Sequence, residues 1–362
     1  MKKPSPQPKK PTKKPPPQPK GFSINLTNRK TVCKPPCSQT VFSCPTLPTA
    51  HLHKNSELLN SELPIYLVGP TGSGKSALAL ALAEHIGGEI VNADAFQIYR
   101  SLDICTAKPS VADLARAPHH LYSVLASTEL CDAQFYSELA HSVIADIIAR
   151  GKTPIIVGGS GLYVKALTHG LSNLPSDEGV RQQLAALTPH ERIEWLLVRD
   201  PDAAQTVSLQ NDRYVTRALE ICLLTNQPQS ALRKAWTQQQ PSFRGVRLVW
   251  ERAALCERIN QRVLSMIQSG LVAEIAALPA LSTTAEKAIG VREIRAYHDG
   301  QLTLEEAITA LQAASRQYAR RQEKWFKRES GFKIVPVNET DSMEELLCAV
   351  TAAVRWDMTK SE

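Results

Sequence analysis

The chain has 362 residues, 43% hydrophobic and 21% charged, which is enough for two or three domains at about 150 residues each. No apolar run approaches the roughly 18 residues that cross a bilayer, so a membrane-spanning helix is not expected. The formal charge of +7 is unevenly placed: residues 1–50 carry ten Lys/Arg and no acid, leaving −3 for the rest. The body is therefore not globally basic, and any nucleic-acid contact there must be local.

Residues 1–20 hold eight Pro and seven Lys with no apolar periodicity. Such a segment buries too little surface to offset its ordering entropy, so residues 1–62 read as a disordered, Pro/Lys-rich basic tail with polyproline II tendency. Two functional readings of the tail stand beside a plain solvated arm. One is an extension that speeds encounter with RNA; the other is a transit peptide, since the segment is poor in acid. The eight cysteines are scattered without a CxxC pair, which points to reduced thiols and a cytoplasmic setting rather than a disulfide scaffold. Cys33, Cys37 and Cys44 lack a well-spaced fourth ligand for zinc.

Order is expected from Pro64 onward. Residues 65–68 form a short apolar run ending in glycine and read as a buried strand; 76–86 follow as a helix of strong formers, and 89–93 as a second strand. Apolar positions at Phe135, Leu139, Val143 and Ile147 predict a helix over 132–150, then a strand at 154–157 and a helix opening at 162. This alternation predicts an α/β fold, a P-loop NTPase-like parallel sheet with helices on both faces. Past residue 176 strands nearly vanish. Residues 180–187, 190–198, 212–224, 255–269 and 304–328 read helical, with late strands at 247–250 and 333–337. The simplest organisation is one domain over 64–362 carrying a mainly helical insertion at about 176–208.

Gly69-Pro70-Thr71-Gly72-Ser73-Gly74-Lys75-Ser76 fits G-x-x-x-x-G-K-[ST] at every fixed position, between a strand and a helix. Its glycines let backbone amides converge on a diphosphate at a helix N-terminus. Lys75 supplies a point charge, and the Ser76 hydroxyl suits a Mg²⁺ ion bridging phosphate oxygens. The motif specifies a diphosphate, not ATP. A nucleotide hydrolase would want a later strand ending in a magnesium-holding Asp, whereas the strand at 154–157 runs into Gly158-Gly159-Ser160. The carboxylate that does end a strand is Asp94. By position alone it is equally a strand-end cap, a magnesium-site acid, or a base aimed at an acceptor.

Several segments then align in order. Asp94-Ala95-Phe96-Gln97-Ile98-Tyr99 resembles the D-S-x-Q-x-Y segment of the tRNA dimethylallyltransferases, Thr106-Ala107-Lys108-Pro109 their G-T-A-K-P, and Pro118-His119-His120-Leu121 their P-H-H-L. Val157-Gly158-Gly159-Ser160-Gly161-Leu162-Tyr163 resembles V-G-G-T-G-L-Y, and Arg217-Ala218-Leu219-Glu220 matches R-A-L-E. Arg258-Ile259-Asn260-Gln261-Arg262-Val263 matches R-I-x-x-R-V. Gly290-Val291-Arg292-Glu293 resembles G-Y-R-E, and the segment from Arg316 to Gln322 resembles R-x-Y-A-K-R-Q. Together they run from about Pro64 to Phe326.

The resemblance implies transfer of a dimethylallyl group from its diphosphate to N6 of the adenosine just 3′ of a tRNA anticodon, by a monomer using Mg²⁺. On that footing the phosphate loop and Lys75 neutralise the leaving diphosphate, and Arg217 is a second clamp on it. Asp94 takes the N6 proton as the C–N bond forms, and Ser160, where the family usually has Thr, orients the amine or the base. The target base must leave the anticodon loop. Asp94, Ala95, Phe96, Gln97, Ser160 and Arg217 line its expected place, and Arg181, Arg213, Lys287 and Arg292 are candidate RNA contacts. Arg316, Arg320 and Lys324 recur at helical spacing as a basic stripe, which is also what a solvated helix face would look like.

The chain departs from the pattern at Ala95 (usually Ser), Cys105 (Gly), Val291 (Tyr) and Tyr214 (Arg), and the spacing near Arg213 is one residue short. These departures imply an altered tRNA preference. Three other readings share features of the chain: a small-molecule P-loop kinase, an enzyme that prenylates free adenine nucleotides, and a non-catalytic RNA-binding protein working through its tail.

Overall fold

The computed structural model describes residues 63–171, 174–237 and 243–354; the tail expectations and Cys33, Cys37 and Cys44 lie outside them. The described residues divide into two compact units, a larger α/β unit and a helical unit placed in the chain between residues 172 and 239.

The larger unit is built on a six-stranded sheet. Its strands are β1 (Ile65–Val68), β2 (Glu89–Asn92), β3 (His119–His120), β4 (Pro154–Gly158), β5 (Arg244–Trp250) and β6 (Phe332–Val337), in the order β3-β2-β4-β1-β5-β6. Every pairing is parallel, so each crossover needs a covering helix and both faces are buried. β1 shows this directly, with Tyr66 and Val68 in one apolar cluster and Ile65 and Leu67 in the other.

The helices of this unit, in chain order, are α1 (Lys75–Ile86), α2 (Asp103–Thr106), α3 (Val111–Arg116), α4 (Ala133–Ala149) and α5 (Gly161–Thr168). The helical unit then contributes α6 (Glu178–Ala185), α7 (Pro189–Arg199), α8 (Ala203–Thr206), α9 (Asp212–Thr225) and α10 (Gln229–Thr237). The α/β unit resumes with α11 (Arg252–Gln268), α12 (Leu271–Ala276), α13 (Val291–His298), α14 (Leu304–Phe326) and α15 (Met343–Val354). α1 and α15 cover one face of the sheet through Leu78, Leu82, Val350 and Val354. α4 and α5 cover the other through Tyr136, Ile147 and Tyr163. Helices thus lie on both faces.

The helical unit takes in α9 and α10 beyond the 176–208 span expected for the insertion. Its core gathers Leu184, Leu196, Val215 and Leu219. α7 opens with a reciprocal cap in which Thr188 and Glu191 satisfy each other's backbone amides, removing two orphan donors.

One helix face differs from the expectation. α4 buries Tyr136, Ala140, Ile144 and Ile147, while Phe135 is 40% exposed. Asp132 caps the helix through the Phe135 amide. The Tyr136 hydroxyl donates to the Asn92 carbonyl at 2.8 Å, and its ring stacks on Tyr163. A polar tip that finds a partner makes tyrosine the better core residue here. The P-H-H-L segment is also structural: His120 and Arg150 both hold the buried Glu89 carboxylate, at 2.7 and 2.8 Å. Arg150 foremost keeps that carboxyl low, at about 2.

Candidate active site

At the carboxyl end of β1 the chain turns through the phosphate loop into α1, between β4 and β5, where the strand connections diverge. Open parallel sheets bind ligands at such a point. A cavity of about 310 Å³ opens there. Thr71, Gly72, Gly74, Lys75 and Ser76 line one side of it, with Asp94, Phe96 and Gln97 beside them. Gly69, Pro70 and Ser73 are buried and carry the loop from behind.

The loop is held by contacts from distant parts of the α/β unit. Trp250 donates through its indole nitrogen to the Ser73 carbonyl at 3.0 Å. Arg258 stacks over Trp250, 4.4 Å from the ring centroid, and donates to the Gly72 carbonyl at 3.2 Å. Gly72 and Gly74 adopt φ near +80°, a conformation costly for any residue with a Cβ. Arg262 reaches the Thr71 hydroxyl at 3.1 Å. The cavity therefore contains three cations, Lys75, Arg258 and Arg262.

Asp94 faces them. Its Oδ1 accepts from the Phe96 amide at 3.0 Å, and its own amide donates to the buried Asn92 side chain at 2.9 Å. Asp94 thus caps a turn and also lines the cavity. Burial lowers the Lys75 ammonium to about 8, an effect Arg262 reinforces and Asp94 opposes. Burial also lowers Arg262, against the pull of Asp94. Burial first and the Asp94 charge second push the Tyr122 and Tyr318 phenols above their ordinary range. A carboxylate whose charge reaches this many neighbours organises the site's electrostatics.

Ser160 lies beside Asp94; its hydroxyl accepts from the Ala95 amide at 2.9 Å and also hydrogen-bonds with the Tyr318 phenol. Gln97 spends its amide on the Thr106 and Ala107 carbonyls, at 2.9 and 3.1 Å. Phe96 approaches the Tyr318 ring, with centroids 6.5 Å apart.

The remaining expected residues are more dispersed. Lys287 is exposed on a short 3-10 turn, Ala285–Lys287, and Arg292 is exposed on α13 against Glu293. On α14 Arg320 and Lys324 are exposed, whereas Arg316 is half-buried and bonded to the Asn260 side chain. Arg181, Arg213 and Arg217 belong to the helical unit, where they line a groove of about 550 Å³. There Glu220, fully buried, accepts from Arg181 at 3.0 Å and Arg217 at 2.7 Å, and Arg217 also donates to the Pro175 carbonyl.

Sequence reasoning passed over several residues of the cavity. Arg258 and Arg262 stand four apart in R-I-N-Q-R-V, which places both on one helix face. Gln322, in the R-Q-Y-A-R-R-Q segment, accepts from the Thr71 amide and donates to the Gly159 carbonyl. The apolar wall of Val263, Met266, Leu271, Ile289 and Leu311 comes from separate elements and has no single-segment signature.

A parallel sheet with this loop, a converging set of cations and a facing carboxylate defines a P-loop protein that handles a diphosphate. The family model for IPP transferase matches residues 97–329. Among relatives, tRNA dimethylallyltransferase 1 of Citrifermentans bemidjiense is 44% identical over 74% of this chain and 89% of its own length. The tRNA dimethylallyltransferase of Geobacter metallireducens is 42% identical over 79% and 96%. The full-length tRNA isopentenylpyrophosphate transferase of Bacillus halodurans superposes with a TM-score of 0.59 at 32% identity, covering 81% of this chain and 97% of that one. A eukaryotic dimethylallyltransferase acting on tRNA gives 0.66 at 26% identity, covering 76% and 74%. The chain belongs to the IPP transferase family.

Proposed function

We propose that the protein transfers a dimethylallyl group from dimethylallyl diphosphate to N6 of the adenosine immediately 3′ of the anticodon in tRNAs that read codons beginning with U. The observation that carries this reading is the cavity, in which a phosphate loop, a carboxylate and an apolar wall meet. A phosphoryl acceptor in a kinase has no need of that wall. A five-carbon prenyl group does.

In this reading the loop amides, Lys75, Arg258 and Arg262 hold the diphosphate, and Arg217 of the helical unit adds a further clamp. As the allylic C–O bond breaks and the N6–C bond forms, the diphosphate leaves with the electron pair and Asp94 accepts the N6 proton. Ser160, already receiving the Ala95 amide, donates its own proton to orient the acceptor. Aligned donors that act where charge develops stabilise the transition state more than the ground state.

Mg²⁺ suits the residues present. Ser76 is exposed at the start of α1 and shares the cavity with Asp94, giving hard oxygen donors. No cluster of three His, Cys, Asp or Glu able to hold a metal occurs among the described residues. Ser76 is the side chain that would hold the ion. When bound, it would neutralise part of the charge on the diphosphate.

The RNA would be held by Phe96 and Gln97 near the reacting base, with Arg181, Arg213, Lys287, Arg292, Arg316 and Arg320 on its backbone and loop. No described helix is long and apolar enough to cross a membrane. We assign the protein to the cytoplasm as a monomer.

The test is incubation of the full chain with Mg²⁺, dimethylallyl diphosphate and unmodified tRNA, followed by digestion and mass spectrometry. Prenylated adenosine is expected from the wild type, with a fall of roughly 10²–10⁴-fold in Asp94→Asn. Product from free AMP but not tRNA, or phosphoryl transfer from ATP, would overturn the assignment.

A further inference from the structure

One face of α14 turns toward the cavity. Leu311, Ser315 and Tyr318 line it, and Gln322 follows Tyr318 four residues on, a spacing that puts both side chains on one side of the helix. Arg320 and Lys324, by contrast, are exposed. Tyr318 reaches the acceptor side of the site. Its ring centroid lies 6.5 Å from that of Phe96, and its hydroxyl bonds with the side chains of Ser160 and Gln322.

The direction of these bonds follows from what each partner has left to give. Gln322 accepts the Thr71 amide on Oε1 at 2.8 Å, which fixes which end is nitrogen, and that nitrogen donates to the Gly159 carbonyl at 3.0 Å. A side-chain amide nitrogen has a second proton and cannot accept, so the phenol accepts from Gln322. The phenol itself stays protonated, because burial first and the Asp94 charge second raise its pKa. Asp94 acts on it through charge and not through a hydrogen bond, which leaves Ser160 to receive the phenol's one proton.

Ser160 Oγ already accepts from the Ala95 amide at 2.9 Å. With the phenol bond added, both acceptor sites of the hydroxyl are taken, and what it can still offer a ligand is its proton. Without the phenol the hydroxyl regains an open acceptor site and can meet a ligand in either sense.

We infer that Tyr318 is a positioning residue that, by donating to Ser160, commits the serine hydroxyl to act as a donor toward the purine and so holds the acceptor amine against Asp94. This inference rests on the dimethylallyl-transfer reading. An adenine edge carries a ring-nitrogen acceptor beside its N6 amine, the kind of group such a donor engages. Tyr318 itself exchanges no proton with the substrate.

The experiment measures kcat and donor KM, with dimethylallyl diphosphate and unmodified tRNA, for the wild type, Ser160→Ala and Ser160→Thr, each with and without Tyr318→Phe. Phenylalanine keeps the ring and removes only the hydroxyl. In the wild-type background it is expected to lower kcat by roughly threefold to tenfold, the scale of one neutral hydrogen bond. Donor KM should stay unchanged, since the diphosphate is held elsewhere. In Ser160→Ala the same change should cost under about twofold, because the group it acts through is gone. In Ser160→Thr, which keeps a hydroxyl, the full factor should return. A merely structural role would cost the same in all three backgrounds, and that result, or a loss confined to donor KM, would overturn the inference. Should Ser160→Ala not fold, the threonine background and the split between kcat and KM still decide, and a penalty absent with threonine would also overturn it. A wild type that yields no prenylated adenosine from tRNA would instead overturn the transfer reading on which it rests.

Discussion

Gln322 accepts a hydrogen bond from the Thr71 amide at 2.8 Å, joining residues 251 positions apart in the chain. Its side-chain nitrogen donates to the Gly159 carbonyl at 3.0 Å, so one buried amide on α14 ties the phosphate loop to the turn that carries Ser160. The approach is tight enough that a Cβ on Gly159 would lie 2.1 Å from that nitrogen. Donor-side and acceptor-side loops are therefore set by the same residue.

Replacing Gln322 by alanine would leave the Thr71 amide and the Gly159 carbonyl without this partner. An unsatisfied buried group costs about 1–3 kcal/mol, and a destabilisation of that order is expected by urea unfolding. KM for dimethylallyl diphosphate should rise as well. Gln322→Glu should be no better, because a carboxylate keeps the Thr71 bond but sets oxygen against the Gly159 carbonyl. A glutamate variant with wild-type stability and KM would show that the bridge has no positioning role.

Lys75 gives a pH signature. Its pKa falls from an ordinary 10.5 to about 8, through burial first. Between those values the unfolded chain binds more protons at this group than the folded one, so its contribution to stability rises with pH. Below about pH 8 the folded state carries the full penalty of a buried ammonium. Lys75→Met should accordingly be more stable than wild type at pH 7, with the gap closing by about pH 10.5 while activity is lost throughout. Thermal melts of both proteins from pH 6 to 10.5 check this, and a gap that widened with pH would refute it.

Much of this was legible in the sequence because its signals are local. The phosphate loop lies in one segment between β1 and α1, and Asp94 follows directly from β2. Alternation of apolar strands with helices gave the parallel sheet. What could not be read depends on tertiary packing. Period-3.6 counting placed the α4 stripe one residue early, because Tyr136 is buried by a hydrogen bond to Asn92 and a ring on Tyr163. Two-residue β3 is too short to show a period. Arg262 became visible only when α11 was laid beside the loop, and Gln322 looked like one more polar residue on a basic helix. The helical spacing that put Arg316 in a basic stripe likewise gave no sign of its hydrogen bond to Asn260, which lies on another helix.

Arg262→Gln should remove a diphosphate clamp and also change its neighbour. The loss of one charge-stabilising donor typically costs about 10²–10³ in rate, and a fall in kcat/KM of that order is expected. Because Arg262 lowers Lys75, the pH inflection of the Lys75-linked stability curve should move upward from about 8 in this variant. Arg258→Gln serves as a comparison. Arg258 is largely exposed and held to Trp250 and the Gly72 carbonyl, so a smaller loss is expected. Equal losses in the two variants, with no change in the inflection, would argue against a direct role for Arg262.

Glu274 is the remaining residue whose removal has a calculable consequence. Its carboxylate takes all three N-terminal amides of α2, doing from α12 what a cap residue does from within a helix. Leu102, at the cap position itself, makes no side-chain hydrogen bond there. The carboxylate charge also favours the positive end of the α2 dipole. Glu274→Ala should cost about 1–3 kcal/mol in urea unfolding. Glu274→Gln keeps an acceptor but not the charge and should cost less. The alanine variant should also loosen the backbone of Cys105, seen as faster amide exchange at residues 103–105. If exchange there matched the wild type while stability fell, α2 would be held by its packing and not by Glu274.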